Sequence, residues 1–386
     1  MDRADATDDR SRSDLSAAIE SAAVGTDALF SSITSLRAIE INHDDTVVIT
    51  LPTPAHSIRS TIEDEIRTAV GDDIEIQWQP SVPDFPGRVD ILPDVKNVIA
   101  VASGKGGVGK STVATNLAAT LARLDLSVGL LDADIYGPNA PTMLGMVESK
   151  PDTTPDDRMI PPTVHGMSVM SMGFLVGETD PVIWRGVLVD EMLQQLFADV
   201  AWGELDYLIV DLPPGTGDAQ LSLVQHLPVT GAVLVTTPQA VAADDTRRSL
   251  EAFATNGVPI LGIVENMSGF RCPDCDSLHR IFDAGAAAEL AKEFGVPLLG
   301  ELPLDPAVGA FDAASEPADR TGITIPGIGR IGLPRTRAER DRRPRQPPLV
   351  IREPNNPVSI GLASVTTRIA ARVNSLIFEA TIDHGH

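Results

Sequence analysis

Short apolar runs alternate with amphipathic stretches through the middle of the chain, and the apolar runs predict buried strands. They lie at residues 98–102, 128–131, 169–172, 208–210, 233–236, 260–264 and 298–299. Segments with helical periodicity separate most of them, as the crossover connections of a parallel sheet require. Residues 98–320 therefore predict an α/β domain built on a doubly wound, mainly parallel sheet.

The residues before this sheet predict three further units. Residues 1–12 are polar and acidic and predict a disordered tail. Residues 13–79 predict a small α/β domain in the order helix, strand, strand, helix, strand. Its expected elements lie at residues 15–23, 36–41, 46–51, 58–70 and 74–78. Residues 80–97 contain four spaced prolines, which predict a stiff linker.

The pattern changes again after residue 320. Residues 321–348 are rich in glycine and proline and contain seven arginines, so they predict an inserted flexible loop. Such a loop would contact nucleic acid, an acidic partner or, as we favour, solvent and the protein's own acidic surface. Residues 349–386 predict a strand and a helix that complete the α/β domain. An apolar stripe with helical spacing supports the helix and consists of Leu362, Val365, Ile369, Val373 and Leu376.

A glycine-rich loop between the first strand and a helical stretch at 113–124 carries the strongest chemical signal. It fits the phosphate-loop pattern G-x-x-x-x-G-K-[ST]. Its glycines would let backbone N–H groups point inward at phosphate oxygens, although a glycine-rich turn without a ligand is the alternative. The nucleotide-binding residues predicted here are Gly104, Lys105, Gly106, Gly107, Val108, Gly109, Lys110, Ser111 and Thr112.

Several side chains at the ends of the predicted strands suit a magnesium–nucleotide site. Lys110 would bridge the β- and γ-phosphates of ATP, and the Ser111 hydroxyl would bind Mg²⁺ beside the positive end of the helix. Asp211 ends an apolar run, where the carboxyl edge of a strand would direct it to the same Mg²⁺. Asp132 and Asp134 follow the second strand and face that edge as well. Each aspartate has a plainer alternative as a turn or helix cap.

Composition limits the class of protein. The chain of 386 residues has 54 acidic and 30 basic residues, a formal charge of −24 and 43% hydrophobic residues, enough for a substantial core. Such an acidic, lysine-poor surface is typical of cytoplasmic proteins of extreme halophiles, because near 1 M salt the Debye length falls to about 3 Å and screens self-repulsion. An ordinary acidic protein is the alternative. The polar N-terminus and the absence of an apolar run of ~18 residues predict a cytoplasmic protein without a membrane anchor.

A second lysine in the glycine loop, Lys105, indicates a further phosphate contact and marks the deviant phosphate-loop ATPases. Within that class the chain resembles the Mrp/ApbC iron–sulfur cluster carriers, which include the Nbp-type scaffold ATPases. The motifs that carry the resemblance are GKGGVGKST at 104–112, DADIYGPNAPTMLG at 132–145, PVIWRG at 181–186, WGELDYLIVDLPPGTGD at 202–218, VENMS at 264–268 and CPDC at 272–275. They span about residues 95–310.

The resemblance implies a function and roles for particular residues. It implies an ATPase that binds and slowly hydrolyses ATP with Mg²⁺ and transfers a [4Fe–4S] cluster to apo-proteins. Lys105, Lys110 and Asp134 would be catalytic, with Asp134 orienting the attacking water. Asp132 would hold the water shell of the metal, and Asn266 would recognise adenine. The small N-terminal domain resembles iron–sulfur assembly domains but lacks their cysteine, so we expect a docking or structural role for it.

The chain has only two cysteines, Cys272 and Cys275, and their spacing favours metal or redox chemistry. A [4Fe–4S] cluster or a tetrahedral zinc ion needs four ligands, so two copies of the chain would contribute two thiolates each. This predicts a symmetric homodimer with the metal on its two-fold axis. Lys105 would reach into the partner's nucleotide site. A bridging zinc ion and a reduced pair without metal are the alternatives.

A partitioning ATPase that acts as a nucleotide-switched dimer on membrane or DNA is the main rival function. It would share the deviant loop, and the arginine-rich loop or the C-terminal helix would be its anchor. The C-x-x-C motif and the small N-terminal domain have no use in such a protein. We therefore expect the carrier, and we expect neither a membrane nor a nucleic acid as its partner.

Overall fold

The computed structural model describes fourteen stretches of the chain. They are residues 39–41, 46–51, 67, 75–80, 82, 91–134, 137–175, 196–215, 218–275, 277–282, 285–309, 322–325, 329–332 and 347–383. The predicted tail at 1–12, the predicted helix at 15–23, most of the predicted helix at 58–70 and the motif at 181–186 lie outside them.

The structure contains the seven strands that the apolar pattern predicts for the central sheet, together with shorter strands that it does not predict. The strands are β1 (Ile39–Ile41), β2 (Thr46–Leu51), β3 (Glu75–Pro80), β4 (Val95–Ala102), β5 (Val128–Asp132), β6 (Asp152–Thr153), β7 (Met159–Ile160), β8 (Thr163–Val164), β9 (Met167–Ser171), β10 (Leu205–Asp211), β11 (Gly231–Thr236), β12 (Ile260–Arg271), β13 (Leu278–His279), β14 (Leu298–Leu304), β15 (Gly322–Ile325) and β16 (Gly329–Gly332). The helices are α1 (Lys110–Ala122), α2 (Ala140–Leu144), α3 (Met172–Leu175), α4 (Asp218–His226), α5 (Ala240–Thr255), α6 (Ala286–Phe294), α7 (Pro306–Gly309), α8 (Leu349–Arg352) and α9 (Pro357–Asp383).

Nine of the described strands form one mainly parallel sheet. Their order is β13-β12-β11-β4-β10-β5-β9-β8, and β14 also pairs with β12. Strand β4 lies between β10 and β11, in parallel with both. The antiparallel pairs of this sheet are β8 with β9 and β12 with β13. The predicted doubly wound α/β fold is confirmed. Polar residues follow or end the parallel strands β4, β5, β10 and β12, and they lie at the same edge of the sheet.

Helices cover both faces of the central strands. Ile99 and Val101 of β4 pack on one face with α1, α8 and α9, and Ala100 and Ala102 pack on the other face with α4, α5 and α6. All four side chains are fully buried. Burial on both faces explains why such strands are continuous apolar runs with no alternation, which makes them visible in the sequence.

The C-terminal stripe packs as predicted. Leu362, Val365, Ile369 and Val373 of α9 are buried in the same core as α1, and Leu376 is partly buried against it. Helix α9 lies against α1 and β14. The C-terminal segment therefore belongs to the same core as the glycine loop's helix, although more than 200 residues separate them in sequence.

Helix α8 and strand β12 differ from the sequence-based expectation. Residues Leu349–Arg352 form the short helix α8 where we expected a strand. The physical reason is that the N–H groups of Ile351 and Arg352 donate to the Pro348 carbonyl and close a helical turn, which buries Leu349 and Val350. Strand β12 continues to Arg271, past the predicted end at 264, because β13 extends its pairing.

The described residues outside the main sheet contain three small sheets. Strands β1, β2 and β3 form a three-stranded sheet at the three positions where strands were expected in residues 13–79. Strands β15 and β16 form an antiparallel pair within 321–348, where the sequence predicted only a loop. Strands β6 and β7 form the third.

Among the described helices, none combines the length and the apolar character needed to cross a membrane.

Candidate functional site

The glycine loop joins the carboxyl end of β4 to the N-terminus of α1. Gly107 and Gly109 have φ angles of 80° and 87°, in the left-handed region that favours glycine. Gly109 is the N-cap of α1, so the helix begins at Lys110. The loop backbone thus curls at the positive end of a helix, which is the arrangement that binds phosphate groups.

Two glycines of the loop allow neighbouring elements to approach closely. A Cβ atom on Gly104 would lie 2.3 Å from the carbonyl carbon of Asp245 in α5. A Cβ atom on Gly109 would lie 2.2 Å from Nδ2 of Asn266 in β12. The Asp245 backbone cannot move aside cheaply, so close packing requires glycine at 104. At 109 the Asn266 side chain could shift, and it is the φ angle of 87° that favours glycine there.

Lys110 forms a buried ion pair with Asp211 at the end of β10. Lys110 Nζ lies 2.6 Å from Asp211 Oδ1, and the two side chains are 5% and 1% exposed. Burial raises the pKa of Asp211, while the Lys110 ammonium and a hydrogen bond from the Ser111 hydroxyl counteract the rise. Lys110, the predicted phosphate ligand, therefore lies beside Ser111 and Asp211, the predicted metal ligands. A bound metal ion or phosphate would compete directly for these charged groups.

Asp132 is fully buried at the end of β5 and accepts several hydrogen bonds. Its Oδ2 atom accepts from the Ala140 N–H at 2.9 Å and from the Ser171 hydroxyl at 3.2 Å. Its Oδ1 atom accepts from the Asp134 N–H at 3.2 Å. The carboxylate thus caps the N-terminus of α2, in agreement with the helix-cap alternative. Its predicted part in a metal's water shell stays a prediction.

Asp134 lies in the loop after β5 and is nearly buried. Its Oδ1 atom accepts from the Gly137 N–H at 3.2 Å. Its charge contributes to raising the pKa of Asp211, which places the two carboxylates in the same electrostatic environment. Negative charge from Asp132, Asp134 and Asp211 beside the Lys110 ammonium is the environment that a magnesium–phosphate complex needs.

Lys105 points to a residue of its own chain. Its Nζ atom donates to Oε1 of Gln239, the N-cap residue of α5, at 3.2 Å. The Ser103 hydroxyl donates to the Lys105 carbonyl at 3.0 Å. The expected contact with a partner's nucleotide site stays a prediction. Gln239 could not be predicted from the sequence, because α5 lies far along the chain from the loop.

Asn266 lies against the glycine loop from the side of β12. Its Nδ2 atom donates to the Val108 carbonyl at 2.9 Å. The next residue, Met267, has a φ angle of 58°, so the strand backbone is distorted at this point. The structure brings the predicted adenine-recognising residue to the loop, and its role toward the base stays a prediction.

Beyond Asn266, β12 continues to the two cysteines. Arg271 pairs with Leu278 and Phe270 pairs with His279, which makes β12 and β13 a hairpin. The Cys272 N–H donates to the Ser277 carbonyl at 3.0 Å and closes the hairpin turn. Cys272 is half-buried, and Cys275 is exposed.

A third candidate ligand lies beside the thiols. The ligand atoms of Cys272, Cys275 and His279 all lie within 4.8 Å of one another. Hydrogen bonds from the side chain and backbone of Ser277, together with the Cys272 thiol, lower the pKa of Cys275 to about 7. A large fraction of this thiol is therefore ionised near neutral pH, as metal binding requires. Our sequence reasoning missed His279, and the signal that could have found it is the spacing C-x-x-C-x-x-x-H.

The chain is similar to known proteins. The ParA-family model described as NUBPL iron-transfer P-loop NTPase matches residues 94–321. The iron–sulfur cluster carrier protein of Synechocystis sp. is 48% identical over 269 residues, which are 67% of this chain and 76% of that protein. The mouse iron–sulfur cluster transfer protein NUBPL is 50% identical over 215 residues, which are 55% of this chain and 67% of that protein.

A solved structure supports the same assignment. The nucleotide-binding protein of Archaeoglobus fulgidus, in complex with ADP, is 39% identical, with a TM-score of 0.50 over 56% of this chain and 85% of that one. The family model covers more than half of the chain, and it includes the glycine loop, Asp211, Asn266 and the cysteine hairpin. The chain therefore belongs to the NUBPL iron-transfer family of P-loop NTPases.

Proposed function

We propose that the protein is an ATP-dependent iron–sulfur cluster carrier. It binds ATP with Mg²⁺, hydrolyses it slowly, and transfers a [4Fe–4S] cluster to apo-proteins. The observation that carries this proposal is that one strand, β12, contacts the phosphate loop through Asn266 and ends at the Cys272 hairpin. The relatives described above are named as an iron–sulfur cluster carrier protein and a cluster transfer protein, which supports the proposal.

ATP would be bound and hydrolysed by the loop and the polar side chains at the carboxyl edge of the main sheet. The loop N–H groups and Lys110 would bind the phosphates, and Ser111 and Asp211 would hold Mg²⁺. When Mg²⁺–ATP binds, Asp211 would exchange its contact with Lys110 for the metal, which frees the ammonium for the γ-phosphate. Asp134 would orient the attacking water, and Lys105 would neutralise charge that develops on the phosphates. The residues 98–320 and 349–386 would form this ATPase domain.

The cluster is cargo and would be held between two copies of the chain. Two thiolates per chain supply half of the four ligands of a [4Fe–4S] cluster, so a homodimer completes the site. Large apolar side chains are exposed beside the cysteines, namely Leu278, Ile281 and Phe282. A second copy or a recipient apo-protein would cover them. The cysteines themselves are accessible from solvent, which suits release of the cargo.

The test is anaerobic reconstitution of the full-length protein in high-salt buffer, followed by iron and sulfide analysis and an absorption spectrum. We expect about four irons and four sulfides per dimer. The double variant Cys272→Ala, Cys275→Ala should lose both, whereas Asp274→Ala in the same turn should retain them. Equal iron and sulfide in the double variant and the parent would show that the cysteines do not hold the cargo. The carrier proposal would then be wrong.

A further inference from the structure

We propose that Cys272, Cys275 and His279 of a single chain bind one divalent transition-metal ion, with a fourth coordination position left open. This inference deepens the proposed function and rests on it for the use of the hairpin as a metal site. Its geometric basis is independent of the cluster, because it depends only on three side chains within one subunit.

The register of the hairpin explains why these three side chains meet. Phe270 and His279 are directly paired, and the closing turn places Cys272 opposite Ser277. Successive residues of a strand point to opposite faces, so Cys272 and His279 lie on one face as diagonal neighbours. The turn between them contains Cys275, whose sulfur atom lies within 4.8 Å of the ligand atoms of both Cys272 and His279.

The spacing fits a single ion. Zinc–sulfur bonds of ~2.3 Å and zinc–nitrogen bonds of ~2.0 Å place tetrahedral ligands about 3.5 to 3.8 Å apart. The three ligand atoms of the hairpin already lie within 4.8 Å of one another, so movements of roughly 1 Å or less would close them on one ion. In a [4Fe–4S] cluster each thiolate binds a different iron, so the hairpin must open to take that cargo.

The ligand types define the metal. Two thiolates and one imidazole favour zinc, cobalt or ferrous iron over magnesium or calcium. Three protein ligands leave the fourth tetrahedral position for water or an exogenous ligand, the arrangement of an open zinc site. Cys275 and His279 are exposed, so such an ion would exchange with solution. A chain without cluster would thus hold a single ion, and cluster loading would displace it.

Cobalt(II) titration of the reduced, metal-free protein tests this inference. We expect saturation at one Co²⁺ per chain, a thiolate-to-cobalt charge-transfer band and intense visible bands of tetrahedral cobalt, all bleached by Zn²⁺. His279→Gln should weaken Co²⁺ affinity at least about tenfold and shift the visible bands. His226→Gln, an exposed histidine of α4 remote in sequence, should change neither. Because His279 is exposed, nucleotide affinity should be the same in both variants and reports that the fold is intact.

Two results would overturn the inference of a metal site within one chain. Saturation at half a cobalt ion per chain, unchanged in His279→Gln, would show four bridging cysteines from two chains. Absence of tetrahedral cobalt in the parent protein would exclude the three-ligand site altogether. Neither result affects the iron and sulfide content after reconstitution. The carrier proposal and this inference therefore fail in different measurements.

Discussion

The side-chain amide of Asn266 donates a hydrogen bond to the backbone carbonyl of Val108, 2.9 Å away. Val108 lies in the phosphate loop, and Asn266 lies on the strand that continues to the cysteine hairpin. Cys272 follows Asn266 by six positions along the chain, which at ~3.3 Å per residue is at most about 20 Å. A change in the loop on nucleotide binding therefore has a direct covalent and hydrogen-bonded connection to the cargo site.

Removal of this contact should weaken nucleotide binding. Asn266→Ala deletes the hydrogen bond to Val108, and a typical hydrogen bond contributes about 1 kcal/mol, which is roughly a fivefold change in the dissociation constant. If the amide also contacts adenine, the loss for ATP should exceed the loss for inorganic triphosphate. Isothermal titration calorimetry of both ligands measures the two effects. Asn256→Ala at the exposed end of α5 is the control, and equal ATP affinity in parent and Asn266→Ala would contradict the prediction.

Gly104 offers a test of the packing around the loop. In Gly104→Ala the new methyl group would lie 2.3 Å from the backbone of Asp245, so α5 or the loop must shift. Overpacking of this kind costs typically about 1 to 3 kcal/mol. We expect a lower free energy of unfolding and weaker ATP binding, measured by urea denaturation and calorimetry.

Gly106→Ala is the matched control for stability. Its Cβ atom would meet nothing closer than Pro214, at 3.9 Å. The φ angle of Gly106 is not in the left-handed region, so alanine is tolerated there. If Gly104→Ala were as stable as Gly106→Ala, close packing of α5 on the loop would not be the reason for glycine at 104.

The apolar pattern predicted the central sheet because its strands are buried on both faces, and β4, β5 and β10 need no long-range information to be recognised. The phosphate loop is likewise local in sequence. The contact of Gly104 with α5 is not, since its partner Asp245 is more than 130 residues away. His279 escaped prediction for a similar reason: β13 has only two residues, too few for any periodicity, and the pairing register alone brings its imidazole to the thiols.

Variants of the Lys110–Asp211 ion pair can separate an effect on nucleotide binding from an effect on the stability of the fold. Lys110→Ala should abolish nucleotide binding, and it should also destabilise the protein by about 3 to 5 kcal/mol because it leaves a buried carboxylate unpaired. The double variant Lys110→Ala, Asp211→Asn removes both charges. It should recover most of the stability while nucleotide binding stays absent. Denaturation and calorimetry on the three proteins test this, and parental ATP affinity in Lys110→Ala would remove the phosphate-loop assignment.

Asp132 should make the stability of the nucleotide-free protein fall as pH rises. Burial, and next the charge of Asp211, raise the pKa of Asp132 from 3.8 to about 7, against backbone hydrogen bonds from Ala140 and Asp134. An acid with a raised pKa binds its proton more tightly in the folded state than in the unfolded state. Its contribution to stability is fully present below pH ~4 and is lost as pH rises toward ~7, by at most about 1.4 kcal/mol per pH unit.

Asp132→Asn isolates this contribution, because the amide does not titrate. The variant loses one acceptor for the N–H of Asp134 or of Ala140, so at pH 4.5 it should be less stable by about 1 kcal/mol. Its stability should then fall less steeply than that of the parent up to pH 7.5, so the two curves converge or cross. Urea denaturation at constant high salt gives both curves, and their difference cancels the titration of other carboxylates. Parallel curves would show that Asp132 has the same pKa in the folded and unfolded states.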